Sequence, residues 1–159
     1  MGSNPTLSAI SLIANLALFM DELPLNEIDG SWDTLLEAAR QVRGAAYCPY
    51  SKFEVGAALL CENGEIVSGA NVENAAFGST ICAERSALVR ANAMGLRDFS
   101  RLVVSVRAEP TAPCGSCRQM LHEFAAHSGE NMEILLHGEG YDRVRLTSIA
   151  ELLPYGFEL

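Results

Sequence analysis

From residue 31 onward, short β-prone runs alternate with stretches of helical periodicity, and that alternation restricts the chain to a layered α/β sheet. Residues 55–61 and 65–72 flank Glu62, Asn63 and Gly64, where the Asn-Gly pair between two strands is a strong hairpin signal. Residues 102–106, 132–137 and 143–146 supply three further strands, so the expected sheet has five. A helix is expected from an N-cap at Ser31 through Val42 or Arg43, with Trp32, Leu35, Leu36 and Ala39 on one stripe. Residues 45–51, with Pro49 and two tyrosines, read as a loop. Further helices are expected at 82–94, stopped by Gly95, at 118–126 after a turn at 113–117, and at 148–153.

A chain of 159 residues, 49% hydrophobic and 19% charged, is of the size and composition of one compact domain. Residues 1–30 read as an N-terminal extension: an apolar, helix-permissive segment at 7–20, then a loop at 21–30 marked by Pro24, Asn26, Asp29 and Gly30. Residues 31–159 form the domain proper. The apolar segment has no basic flank, because no Lys or Arg precedes Arg40, so it is not read as a secretory signal. It is also too short and too interrupted by Ser and Asn to span a bilayer. Met1, Gly2 and Thr6 fit the loose myristoylation pattern, but Pro5 lies within it and nothing polybasic follows, so no membrane partner is expected. Acidic residues outnumber basic ones by 20 to 11, and a net charge of −9 disfavours a polynucleotide partner. Five cysteines, an odd number, point to reduced thiols and a cytoplasmic setting.

Chemistry concentrates in Cys82-Ala83-Glu84 and Pro113-Cys114-Gly115-Ser116-Cys117, each where a helix should begin. Structural zinc sites close with four protein ligands, whereas catalytic ones hold three and keep a position open. Cys82, Cys114 and Cys117 are three, with no apparent fourth. Helix N-termini lower thiol pKa values and so favour the metal-binding thiolate. Arg85 is placed to donate hydrogen bonds to the ligand sulfurs and offset their negative charge. Glu84 is the natural proton carrier beside a metal-activated water. Residues two apart diverge within a regular helix, so Cys82 must sit at its very edge for both side chains to face the metal. A redox pair at Cys114 and Cys117 leaves Cys82 and Glu84 unexplained. Surface or core roles are expected for His122, His127 and His137, and buried apolar roles for Cys48 and Cys61. Taken alone, Asn71 and Glu73 could simply form a strand's polar face.

Several motifs occur together: Cys48-Pro49-Tyr50-Ser51 with Phe53 and Val55-Gly56-Ala57-Ala58, Asn71-Val72-Glu73-Asn74, Ile81-Cys82-Ala83-Glu84-Arg85, and Pro113-Cys114-Gly115 with Cys117-Arg118-Gln119. Over about residues 46–159 the chain thereby resembles the cytidine deaminases, in their short, three-cysteine, homotetrameric branch. The resemblance implies a three-layer α/β/α cytidine deaminase-like fold, a mixed five-stranded sheet with helices on both faces, and one Zn²⁺ per chain. It implies hydrolytic deamination of the small-molecule nucleosides cytidine and deoxycytidine to uridine, deoxyuridine and ammonia, as in pyrimidine salvage. Glu84 would be catalytic, and the zinc ligands Cys82, Cys114 and Cys117. Asn71 and Glu73 would bind the ribose hydroxyls, the backbone of Ala83 and the carboxylate of Glu84 would read the base, and Phe53 would pack against the pyrimidine. The terminal Leu152, Leu153, Pro154 and Phe157 also match, and Phe157 would reach the site of an adjoining subunit. Phe77 stands where the family has an aromatic contacting a neighbour's site. Arg118 and Gln119 read as capping or buttressing their helix. Nucleic-acid editors commonly open with His-x-Glu, where this chain has Cys-Ala-Glu. The ribose-reading Asn71 to Asn74 stretch favours nucleosides over the antibiotic blasticidin S, the substrate of the nearest rival deaminases.

Overall fold

The computed structural model describes residues 21–159, and the apolar segment at 7–20 lies outside the described residues. The strands are β1 (Asp21–Pro24), β2 (Val55–Cys61), β3 (Ile66–Ala70), β4 (Phe99–Val106), β5 (Glu133–Gly138) and β6 (Arg143–Ser148), in one sheet of spatial order β1-β6-β5-β4-β2-β3. β4 and β5 run parallel, and the other pairings are antiparallel. The helices are α1 (Asp33–Arg43), α2 (Ala83–Ala93), α3 (Gly115–Ser128) and the single-turn α4 (Ile149–Leu152). A parallel pair needs a crossover, and α3 lies in the one between β4 and β5.

Successive strand side chains point to opposite faces, and here both faces are covered. On one, Trp32, Leu35, Leu36 and Ala39 pack against Ala58, Val103, Leu135 and Val144. On the other, Ala57, Leu59, Leu102, Val104, Ile134 and Leu136 meet Ala83, Ala87, Leu88 and Ala91 of α2 and Leu121 and Ala125 of α3. The three-layer mixed sheet is therefore as expected. At roughly 1.5–3 kcal/mol for each fully buried large apolar side chain, these two clusters are the main stabilising term.

The sheet differs from expectation in having a sixth strand, Asp21–Pro24, within the stretch that reads as a loop. Its four residues lack apolar alternation. What holds them is the open edge of β6 and a cross-strand charge pair, Glu22 opposite Arg145 with Nε to Oε1 at 2.9 Å. Pro24 is tolerated because β1 is an edge strand. Ser31 does not cap α1. A 3₁₀ turn, Gly30–Trp32, precedes the helix and is capped by Asp29, whose side chain accepts from the Ser31 N–H, while the Ser31 hydroxyl accepts from Arg101 at 2.6 Å.

Gly69 on β3 sets how close α2 lies to the sheet. A Cβ there would run into the backbone N of Ala87 and the backbone and Cβ of Ser86, so a side chain would push away the helix that opens with Cys82 and Glu84. Among the described residues, no helix is long and apolar enough to cross a membrane.

Candidate active site

Two helix N-termini converge on one point. Cys82 is the N-cap of α2, with extended backbone (φ −70°, ψ 157°), and Cys114 is the N-cap of α3 (φ −67°, ψ 166°). The extended cap turns the Cys82 side chain out of helical register, which resolves the two-residue spacing to Glu84. α3 begins at Gly115, three residues before the expected start, so Cys117 falls in its first turn and on the side of Cys114.

The three Sγ atoms lie within 4.8 Å of one another, with Cys82 to Cys114 at 3.8 Å and Cys114 to Cys117 at 3.5 Å. A tetrahedral zinc with bonds of about 2.3 Å sets its sulfurs about 3.8 Å apart, and the two closest pairs here lie near that spacing. Among the described residues they are the one group of His, Cys, Asp and Glu side chains placed to share a metal. The histidines lie elsewhere: His122 faces Glu158, His127 is 4.0 Å from Asp98, and His137 sits between Arg40 and Ser105. Cys61 is buried as expected, whereas Cys48 is only half-buried.

Hydrogen bonding from Cys117, with help from Cys114 and Arg85, holds the Cys82 thiol down at about 5. The neighbouring Cys82 sulfur, together with burial, pushes the Cys117 thiol up. Metal binding requires thiolates, so a cation held by these three sulfurs would displace their protons. Arg85 donates to the Thr80 carbonyl at 2.7 Å, with Nη2 4.0 Å from Cys82 Sγ.

Glu84, 4% exposed, stands in the first turn of α2, and burial pushes its carboxyl up to about 7, with the charge at Cys82 adding to the shift. It lines a cleft with Cys82, Ala83, Cys114, Phe53, Asn71 and Glu73. Asn71 is nearly buried and both ends of its amide brace the adjoining loop: Oδ1 accepts from the Val55 N–H and Nδ2 donates to the Phe53 carbonyl, each at 2.9 Å. Glu73 Oε2 accepts from the Tyr50 and Ser51 N–H groups at 2.9 and 3.2 Å, and its pKa is lowered, first by the Ser51 side chain. A carboxylate has further lone pairs for a ligand.

Phe77 and Phe157 are not among the side chains that line this cleft. Phe77 lies on a 3₁₀ turn, Phe77–Ser79, and Phe157 on the tail after α4; they are 81% and 66% exposed. The cleft also includes Ser51, Thr80, Val104, Val106, Thr111 and Ala112, to which the sequence reading assigned no role. Val104 and Val106 were detectable as alternate residues of one strand. Thr111 and Ala112 follow β4 in an irregular loop that leaves no periodic signal.

Three clustered thiols placed to share a metal, with a buried carboxyl beside them and a cleft alongside, are the arrangement of a zinc-dependent hydrolase. Residues 31–128 match the cytidine and deoxycytidylate deaminase zinc-binding region, and the chain belongs to that family. The cytidine deaminase of Sporosarcina psychrophila is 43% identical over 79% of this chain and 90% of that protein. For the cytidine deaminase of Halalkalibacterium halodurans the identity is 42%, over 77% of this chain and 91% of that protein. The crystal structure of cytidine deaminase from Burkholderia pseudomallei superposes with a TM-score of 0.73 at 44% identity, covering 79% of this chain and 98% of that one.

Proposed function

We propose that this chain catalyses the hydrolytic deamination of cytidine and deoxycytidine to uridine and deoxyuridine plus ammonia, as a homotetramer serving pyrimidine salvage in the cytoplasm. The observation that carries the reading is Glu84, a buried carboxyl in the first turn of the helix capped by Cys82, beside three thiols placed to share a metal. Cys82, Cys114 and Cys117 hold one zinc per chain, and Arg85 offsets their negative charge. When bound, zinc lowers the pKa of water and so supplies a nucleophile at neutral pH.

Glu84 moves the protons. It takes one from the water that adds at C4 of the pyrimidine and delivers it to N3, where it remains in the product. It then takes the proton of the new hydroxyl at C4 and passes it to the amino group, which leaves as ammonia while the oxygen stays as a carbonyl. Phe53 packs on the base and the Ala83 backbone orients it, while Glu73 and Asn71 receive the ribose. Because the Asn71 amide also braces Phe53 and Val55, sugar and base recognition share one support.

Exposed aromatics support an assembly that completes the site. Phe77 and Phe157 are exposed and do not line their own cleft, which supports a role for both in a neighbour's. Tyr47, Tyr50, Val72 and Ile81 are exposed as well, giving apolar surface of the kind that marks subunit contact. The free thiols support a reducing compartment.

The test is loss of absorbance with cytidine, deoxycytidine and free cytosine in parallel, on zinc-analysed protein and on Glu84→Gln. Both nucleosides should turn over and the base should not. The variant should keep its zinc and lose at least the roughly 10²- to 10⁴-fold of a positioned acid–base group. One zinc per chain with no turnover of any of the three would sink the nucleoside reading.

A further inference from the structure

The last residues of the chain, beyond α4, have no regular secondary structure, yet they are held against α3 at defined points. Gln119 makes two hydrogen bonds to one residue of this tail: its Nε2 donates to the Phe157 carbonyl at 2.9 Å, and its Oε1 accepts from the Phe157 N–H at 3.0 Å. Only an amide side chain carries both a donor and an acceptor at the spacing of a peptide group, so the pair imitates one rung of a β-ladder. Glu158 meets His122 at 3.0 Å, and Gly156 packs so close to the His122 ring that a Cβ would collide with it. The Phe157 ring is 66% exposed. The backbone, and not the ring, is therefore what fastens the tail, and an aromatic side chain is left projecting from a fixed point.

We propose that Gln119 is a positioning residue, whose amide holds the Phe157 backbone so that the ring is presented in one orientation to the cleft of a second copy of this chain. The proposal rests on the reading above that Phe157 completes a neighbour's site. Gln119 is suited to this because it lies two residues beyond Cys117 on α3. The clamp and two of the three clustered thiols thus share one rigid element, and the ring is placed relative to its own chain's zinc centre without contacting it. If the tail is released, only a fraction of subunits present the ring at any moment, and apparent affinity falls by that fraction.

The test is a double-mutant cycle on the full-length, zinc-loaded protein with cytidine as substrate, comparing Gln119→Ala, Phe157→Ala and the double variant with the parent. Gln119→Ala should lower kcat/KM by about tenfold, mainly through KM. The double variant should be no worse than Phe157→Ala alone, because Gln119 acts through that ring. A Gln119 loss that persists at full size without Phe157, or no loss on Gln119→Ala while Phe157→Ala is impaired, overturns the proposal. No loss on Phe157→Ala refutes the shared-site reading itself, a different failure. Should Gln119→Ala not assemble, Gln119→Glu supplies the cycle, since it keeps the acceptor but sets a carboxylate against the Phe157 carbonyl. Hydrogen exchange on the unaltered protein is independent of every variant: the Phe157 amide should be protected, and free exchange there overturns the proposal.

Discussion

Burial moves two titratable side chains in opposite directions here, because it penalises whichever form is charged. It pushes Glu84 up to about 7 and His137 down to about 4. His137 Nε2 lies 2.9 Å from Arg40 Nη2, and since a guanidinium can only donate, Nε2 accepts and the proton of the neutral ring sits on Nδ1, 3.0 Å from Ser105 Oγ. Arg40 and Arg43 oppose a charged ring, and Glu139 only partly compensates. The folded pKa is below the ordinary 6.5, so the unfolded chain binds the proton that the folded one refuses. The contribution is complete above about pH 6.5 and is lost as pH falls toward about 4. Between those limits Tm should decline more steeply for the parent than for His137→Gln, and subtracting the two curves removes the other titrating groups. Parallel curves would show that His137 is not buried neutral. The thiols and Glu84 were legible in the sequence because a zinc centre admits few residue types. The His137, Ser105 and Arg43 network was not, since its members lie 32 and 62 positions apart and nothing local couples them.

At the scale of elements, the site depends on where two helices start and how near one of them lies to the sheet. Cys82 and Cys114 are both N-caps, and among the described residues neither helix N-terminus is closed by a side-chain cap, which leaves first-turn N–H groups and the helix dipole directed at the thiols. Gly69→Ala should displace α2, costing about 1–3 kcal/mol as overpacking does, and should lower kcat by more than the folding loss explains, because Glu84 moves with the helix. Gly44→Ala is the control. Its φ of −62° suits any residue, and the added Cβ makes only ordinary contact at 3.5 Å, so turnover should be unchanged. Equal turnover in both variants, by urea melts and steady-state rates, would mean that α2 accommodates the methyl group by shifting elsewhere.

Across the whole molecule, Cys82 closes against Cys114 and Cys117 from a segment 32 residues away, so a bound zinc cross-links two helices and should contribute to folding stability. Ligand linkage at about 1,000 times Kd is worth about 4 kcal/mol, and for a chain of this size that is a Tm shift on the order of 10 °C. Chelation should therefore lower Tm by about that amount, with recovery on adding Zn²⁺ but not Mg²⁺, whose preference is for oxygen ligands. An unchanged Tm after verified zinc loss would mean that the two helices are held by the apolar core alone.

The amino-acid sequence by itself determined the layered α/β class, the hairpin at Asn63 and Gly64, and the three cysteines that the fold gathers into one cluster, because each is written in local periodicity, turn chemistry or the residue types that a metal demands. Tertiary structure alone decided the sixth strand, which exists because β6 offers an open edge and Arg145 a partner for Glu22. It also decided the dual engagement of Asn71 with Phe53 and Val55, and the hold of Gln119 on Phe157 across 38 residues. These contacts join segments that no local pattern connects, and their energy appears only once the sheet and its helices have brought the partners together.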